Sequence, residues 1–475
     1  MHIIMSEQAQ PTFYFYDFET AGISPARDRP VQFAGIRTDA DFNEIGEPQM
    51  FYCRLPADYL PSPEATLITG ITPQKAQQDG LCEADFIGRI HEQFSRPQTC
   101  VLGYNNIRFD DEVTRYTLYR NFYDPYAWSW QQGNSRWDLL DVVRAFYALR
   151  PDGINWPEDD DGKPSFKLER LTQTNGIDHG HAHDALSDVR ATIALARLLK
   201  QTQPRLFDYL FELRNKRKVK DLIDIINSKP LVHVSGMFSA WQGCASWIAP
   251  LAWHPDNANA VICVDLAKDL SPLAELDADT LRQRLYTKKS ELGEQLPVPL
   301  KLVHINKCPV LAKAAALTEQ RAGELGIDRV QCRKSLDLLR KHPEIREKAE
   351  AIYQQSAAFE QDDDVDTALY HGFFSDADKT AMAMIRDSSP DNLAELPLQF
   401  SDERLPELLF RYRARNYPHT LNEQEWQRWR LHCQDKLSAH AEAYMHRLEQ
   451  LVIEHQDDEN RLALLQSVAR YVQSL

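Results

Sequence analysis

Residues 12–20 read Thr-Phe-Tyr-Phe-Tyr-Asp-Phe-Glu-Thr. The aromatic run predicts a β-strand over 12–18. Strand side chains alternate between faces, so Asp17 and Glu19 point to the same side. A solvated strand edge is the plain account of an isolated Asp-x-Glu. Here Phe15, Tyr16 and Phe18 flank the pair, and carboxylates inside an aromatic strand are costly unless a cation or partner faces them. The chain is therefore expected to set an acidic, cation-seeking patch on a core strand.

Strand and helix signals alternate up to about residue 200. Further strands are expected over 31–37, 50–54 and 99–104. Helices are expected over 110–120, over 137–149, and from an Asp184 cap to 200. This pattern predicts an α/β domain around a sheet. Residues 201–204 mark a boundary. Beyond it a basic helix over 206–226 leads to strands over 231–234, 260–265 and 298–304. Turns and prolines separate them, which suggests a small β-rich barrel with added helices. Helical text resumes at 333. An acidic break over 359–366 marks a second boundary, and the remainder reads as all-α, with helices over 405–415, 423–437 and 439–452. At 475 residues the chain is too long for one ordinary domain. Three are expected: 1–203, 204–358 and 359–475.

Two more segments carry chemistry. One is Asn105-Asn106-Ile107-Arg108-Phe109-Asp110, where Asp110 opens a helix. A helix-start acid stabilised by the dipole is its plain account. Asp111 and Glu112 are alternatives for the same role, and Asn105 and Asn106 are turn residues or substrate contacts. The other is His183 with Asp188 in the following helix; His179 and His181 are neighbours that spacing alone does not set aside. Together, four carboxylates and a histidine match what a two-metal phosphodiesterase needs. Two divalent ions about 4 Å apart clamp the attacking water and the leaving oxygen. Hard Mg or Mn ions take carboxylate oxygen, and histidine suits the deprotonation of water.

The net charge of −16 argues weakly against a nucleic-acid partner. Charge is uneven, however: acids gather over 158–161 and 362–366, and bases over 214–220. A basic groove on an acidic body is compatible with that distribution. No run of about 20 apolar residues is present, so no membrane span is expected. The start lacks a signal-peptide core, and Met5 is an alternative first residue. The eight cysteines are scattered without metal-site spacing. They read as reduced thiols of a cytoplasmic protein.

The ordered set Asp-x-Glu-Thr, Asn-x-x-Arg-Phe-Asp and His-x4-Asp resembles the proofreading 3′→5′ exonuclease superfamily, in its histidine-bearing (DEDDh) branch. The segment Leu67-Ile68-Thr69-Gly70-Ile71-Thr72 looks like that superfamily's substrate-side loop. Tyr104 to Arg115, the run Asn121 to Trp130, and Lys229 to Phe238 are similar to the bacterial exonuclease I family, a likeness that runs essentially end to end. The resemblance implies a ribonuclease-H-like α/β exonuclease domain, then a small Src-homology-3-like β-barrel domain, then an all-α C-terminal domain. It implies processive 3′→5′ degradation of single-stranded DNA to 5′-mononucleotides with two Mg ions, for which Mn may stand in, in DNA repair and recombination. Asp17, Glu19, Asp110 and Asp188 would be the metal ligands, with Asp17 bridging, and His183 the general base.

The same resemblance implies DNA contacts from Glu19, Arg115, Tyr126, Trp130, Arg144 and Lys167. Aromatic platforms and backbone cations are what a single strand needs. Lys167 stands where the family usually has arginine, keeping charge and losing bidentate geometry. Arg411 to Tyr417 is a second aromatic-basic stretch, and a solvated helix face explains it equally well. Relatives also bind the acidic, hydrophobic C-terminal tail of single-stranded-DNA-binding protein; Arg150, Tyr209, Lys229 and Arg340 match that pocket. A monomer is implied. The competing readings are an RNA 3′-end exonuclease, a catalytically inactive binding scaffold, and an acidic calcium protein, the last lacking an EF-hand loop.

Overall fold

The computed structural model describes residues 10–180, 184–354 and 363–475. Two compact units divide the chain. The first holds the described residues of Met1–Ser135, His179–Ile193 and Glu360–Leu475; the second holds those of Arg136–Asp178 and Ala194–Phe359.

In the first unit β1 (Thr12–Thr20), β2 (Pro30–Thr38), β3 (Gln49–Cys53), β4 (Gly80–Leu81) and β5 (Thr99–Gly103) lie in the order β4-β3-β2-β1-β5. β1 pairs antiparallel with β2 from Phe13 to Thr20, but parallel with β5 only from Thr12 to Phe15. Asp17 and Glu19 therefore lie on the part of β1 that outlasts β5. On one face of β1, Tyr14, Tyr16 and Phe18 join Phe33 and the helix Glu83–Phe94 in the main core. On the other, Phe13 and Phe15 pack on Phe42. Alternation puts Asp17 and Glu19 on this second face, as their spacing predicts.

Gly103 closes β5 against β1. A Cβ there would sit 2.7 Å from the Tyr16 carbonyl oxygen, too close for any side chain. Gly103→Ala is expected to destabilise the protein by about 1–3 kcal/mol through this overpacking. Thermal unfolding of the variant checks it; an unchanged midpoint would mean the strands part without cost.

The helices after residue 363 complete the first unit. Tyr116, Tyr119 and Phe122 of the exonuclease-like segment share a core with Leu369, Met382, Leu405, Leu408 and Tyr412. The pairs expected over 423–437 and 439–452 are one helix, Glu423–Glu454. No glycine or proline interrupts this stretch, and Asn422 with Glu425 caps its start reciprocally. Of the described residues 363–475 none is in a strand, as expected of an all-α segment.

β6 (Ser135–Asp138) leads into the second unit and corrects the helix expected from 137. The helix is Leu139–Leu149, and the Asp138 side chain accepts from the Leu140 amide as its cap. The basic helix expected over 206–226 is two: Pro204–Glu212 ends with Leu213 as its C-cap, and Asn215 caps the second, Lys216–Leu222. Five strands follow: β7 (Leu231–Val234), β8 (Ala245–Trp253), β9 (Ala260–Asp265), β10 (Leu300–His304) and β11 (Val310–Lys313), in the order β10-β9-β8-β7-β11. β8 and β11 are not legible in the sequence. Pro250 disguises β8, and the register shift between Pro250 and Ala252 is what accommodates it.

Candidate metal centre and nucleic-acid contacts

Among the described residues, one group of acids could hold a metal ion. Carboxylate oxygens of Asp17, Glu19 and Asp188 all lie within 4.8 Å of one another. β1 supplies the first two and the first turn of the helix Ala185–Thr202 the third. Asp184 caps that helix by accepting from the Ser187 amide, as expected, and accepts from the Gln32 side chain on β2. Gln32 also accepts from the Ala185 amide, so β2 fixes the helix start beside β1.

Asp110 and its two alternatives separate cleanly. The Asp110 carboxylate accepts from the Phe18 amide, between the two acids of β1. Asp111 points into the core, accepting from the Tyr16 hydroxyl at 2.6 Å and from Asn106 at 3.1 Å. Glu112 pairs with Arg115 at 2.6 Å. Asn106 is thus a turn residue: its side-chain Oδ1 also accepts from the Gly103 amide. His183 and His181 lie outside the described residues. His179 does not, and its Nε2 is 2.6 Å from Asp188 Oδ1.

The electrostatics are those of a cation site. Burial, then the charges of Asp110, Glu19, Asp188 and Asp184, push the Asp17 carboxyl well above the usual range. Burial, then Asp188, Asp110 and Asp184, push Glu19 up to about 8. Carboxylates that repel one another at this range are relieved by a divalent ion. The donors are hard oxygens, which suits Mg or Mn better than a soft metal. The residues present therefore fit a divalent metal centre.

Of the expected DNA contacts in this unit, the guanidinium of Arg115 lies 5.4 Å from the Tyr126 ring centroid, and Trp130 is 64 % exposed. Three exposed side chains are not singled out by the sequence. The Tyr370 hydroxyl donates to Glu112, and the Phe373 ring, 88 % exposed, sits 6.1 Å from that of Tyr126. The run Tyr-His-Gly-Phe-Phe is visible in the sequence, but nothing local ties it to a residue some 250 positions earlier. Ile23 is the third. Asp28 holds its loop by accepting from the Ser24 amide and the Tyr59 hydroxyl, both at 2.7 Å, and leaves Ile23 90 % exposed just past Glu19.

In the second unit Lys167 is exposed at the cap of the helix Leu168–Thr174. Arg144 pairs with Asp141 at 2.7 Å and lies under Gly236, where a Cβ would meet its guanidinium at 2.8 Å. Beyond Gly236, Lys301 Nζ is 4.6 Å from the Phe238 ring centroid, and Met237 and Trp241 are 75 % and 57 % exposed. Arg144 is expected from the sequence, but its grouping with these residues is not, because they come from three separate segments. Of the expected partner pocket, Arg150 and Tyr209 reach one segment, donating to the carbonyls of Ala316 and Leu311. Lys229 is exposed, and so is Arg340, which pairs with Asp337.

The second unit's antiparallel sheet, the acidic centre and the helical C-terminal segment coincide with three family models. These are an exonuclease model over residues 14–196, an exonuclease I SH3-like domain over 214–355, and an exonuclease I C-terminal domain over 363–475. Exodeoxyribonuclease I of Escherichia coli (strain K12) is 59 % identical over 467 residues, spanning 98 % of each chain. The chain belongs to the exonuclease I family. Exodeoxyribonuclease I of Haemophilus influenzae is 54 % identical over 97 % of this chain and 98 % of its own. The solved structure of E. coli exonuclease I in complex with a dA16 oligonucleotide matches with a TM-score of 0.97, covering 98 % of this chain and all of that one. A zinc-bound form of the E. coli exonuclease I–ssDNA complex matches at 0.96, with 58 % identity over 98 % of this chain and 99 % of its own. A structure of SSB/exonuclease I with an inhibitor matches at 0.92, with 57 % identity over 98 % of this chain and all of its own. Membership of the exonuclease I family makes this chain a nuclease, with the ribonuclease-H-like, SH3-like and helical parts expected. Among the described residues no helix is long and apolar enough to cross a membrane.

Proposed function

We propose that this chain degrades single-stranded DNA processively from the 3′ end, releasing 5′-mononucleotides by two-metal-ion hydrolysis. The observation that carries the reading is the trio Asp17, Glu19 and Asp188 with oxygens within 4.8 Å, in a chain that aligns end to end with exonuclease I. Two Mg ions, replaceable by Mn, supply Lewis-acid stabilisation of the attacking and leaving oxygens when bound. Asp17, Glu19, Asp110 and Asp188 hold them. His183 takes the proton from the attacking water. Glu19, Arg115, Tyr126, Trp130, Arg144 and Lys167 hold the strand through its phosphates and bases, and Tyr370, Phe373 and Ile23 extend the apolar surface that bases meet. The domains run 1–203, 204–358 and 359–475.

Arg150, Tyr209, Lys229 and Arg340 receive the acidic tail of single-stranded-DNA-binding protein; a relative's structure together with SSB supports this. The enzyme works as a monomer, in repair and recombination. All eight cysteines are thiols outside any disulfide, which supports a reducing, cytoplasmic setting.

Degradation of a 5′-labelled DNA single strand with Mg tests the reading, against a duplex, an RNA strand and a 3′-blocked strand. The expected result is a ladder from the 3′ end of the unblocked DNA single strand alone, abolished by chelator. Preference for RNA would overturn the substrate assignment. Binding without cleavage under every metal would reduce the centre to a relic.

A further inference from the structure

We propose that His179 is a positioning residue of the metal centre, holding one oxygen of Asp188 so that the carboxylate is correctly turned towards the ion. The inference rests on Asp188 being a metal ligand, as proposed above. His179 and Asp188 are both largely buried, with side chains 11 % and 19 % exposed, and their contact is 2.6 Å. An ionised carboxylate only accepts, so Nε2 of His179 donates. A donor fixed on Oδ1 sets the rotation of the carboxylate and with it the direction in which Oδ2 points.

The surroundings make this contact a built one. His179 precedes Gly180, whose φ of +28° turns the chain in the left-handed region, and a Cβ at Gly180 would lie 3.1 Å from Ser187 Oγ. The turn is thus packed on the first turn of the helix that carries Asp188. Ser187 donates from its amide and hydroxyl to Asp184, and Asp184 and Ala185 are tied to Gln32. Gln32 is 1 % exposed on β2. The helix start is therefore braced both by Gln32 of β2 and by His179. A ligand whose rotamer is already fixed loses less conformational freedom when the ion binds, and donors behind a ligand carry much of a site's affinity. In this role His179 moves no proton, which separates it from His183.

Calorimetric titration of the full-length protein with Mn in the absence of DNA tests the assignment, alongside thermal unfolding in chelator. His179→Ala is expected to weaken Mn binding about 10–100-fold with an unfolding midpoint in chelator close to wild type. His179→Gln, whose amide N–H can still donate, is expected to recover most of the affinity. Equal Mn binding by His179→Ala and wild type would overturn the proposal. So would equal losses in both variants accompanied by a fall of the chelator midpoint, which is the signature of a merely structural histidine. Asp188→Asn is the control for the underlying reading: if it binds Mn as wild type does, Asp188 is no ligand and the proposal falls with that assignment, whereas wild-type-like binding by His179→Ala alone removes only the positioning role.

Discussion

Asp17→Asn is expected to lower strand degradation about 10³-fold or more while raising the stability of the metal-free protein. The two effects have one cause. Asp17 is buried among Asp110, Glu19, Asp188 and Asp184, and burial first, then repulsion from these acids, raises its pKa. As one of the residues that would hold the metal, Asp17 would contribute to the charge stabilisation the ion supplies, and its loss would cost about 4 kcal/mol of barrier, or some 10³ in rate. Without the ion, the same buried charge opposes folding, so a neutral isostere relieves it. Most core substitutions shift stability the other way. Nucleotide release from a labelled single strand and unfolding in chelator check both halves. Full activity in the variant, or activity lost together with the fold, would contradict the assignment.

The same electrostatics set a pH dependence. Glu19 has a folded-state pKa pushed from 4.5 to about 8. The folded state therefore binds more protons than the unfolded chain between these values. Glu19's contribution to the stability of the metal-free protein is full below about 4.5 and is lost as pH rises towards about 8. Saturating Mg or Mn, which binds only the folded site, is expected to flatten that decline. Chelator and metal melts across this window make the comparison.

Arg415→Met is expected to cost about 3–5 kcal/mol, a fall of roughly 10 °C in midpoint for a unit this size. Arg415 is 5 % exposed at its side chain and joins residues from far apart in the chain. It donates to both oxygens of Asp58, at 3.1 and 2.6 Å, and to both of Asp366, at 2.8 and 2.5 Å. Arg29 reaches Asp366 at 3.3 Å, and His432 and Lys436 reach Asp58 at 3.2 and 3.4 Å. Burial alone raises Asp58 and Asp366, yet the surrounding cations outweigh it and hold both well below the usual carboxylate range. Methionine would leave two buried acids short of their main partner. Adding Asp58→Asn and Asp366→Asn is expected to restore much of the loss. A single variant that melts with wild type would place the network among decorative ion pairs. The sign with pH opposes that of Glu19: both acids are depressed, so their contribution is full above about 3.8 and disappears as pH falls through their folded-state values.

The acidic strand is legible in the chain alone because its physics is local. Strand alternation puts Asp17 and Glu19 on one face whatever surrounds them, and an Asp184 cap needs only its own helix. The choice between Asp110 and Asp111 is not local. It depends on Tyr16 and Asn106 claiming Asp111 for the core while Phe18 presents its amide to Asp110. The strand around Pro250 escapes local patterning because pairing with its neighbours overrides propensity there.

By itself, the sequence determined the order of chemical groups: two acids on a strand, an acid opening a helix, and a histidine and an acid around the start of another. It also determined the alternation that aligns the first pair. Only the tertiary structure decided which carboxylates meet, that His179 backs Asp188, and that Arg415 binds Asp58 and Asp366, the first of them across more than 300 residues of chain. The reason is range. Alternation and capping act over a few residues and leave a periodic trace, whereas ion pairs and hydrogen bonds between distant segments act through space and leave no pattern in either segment alone.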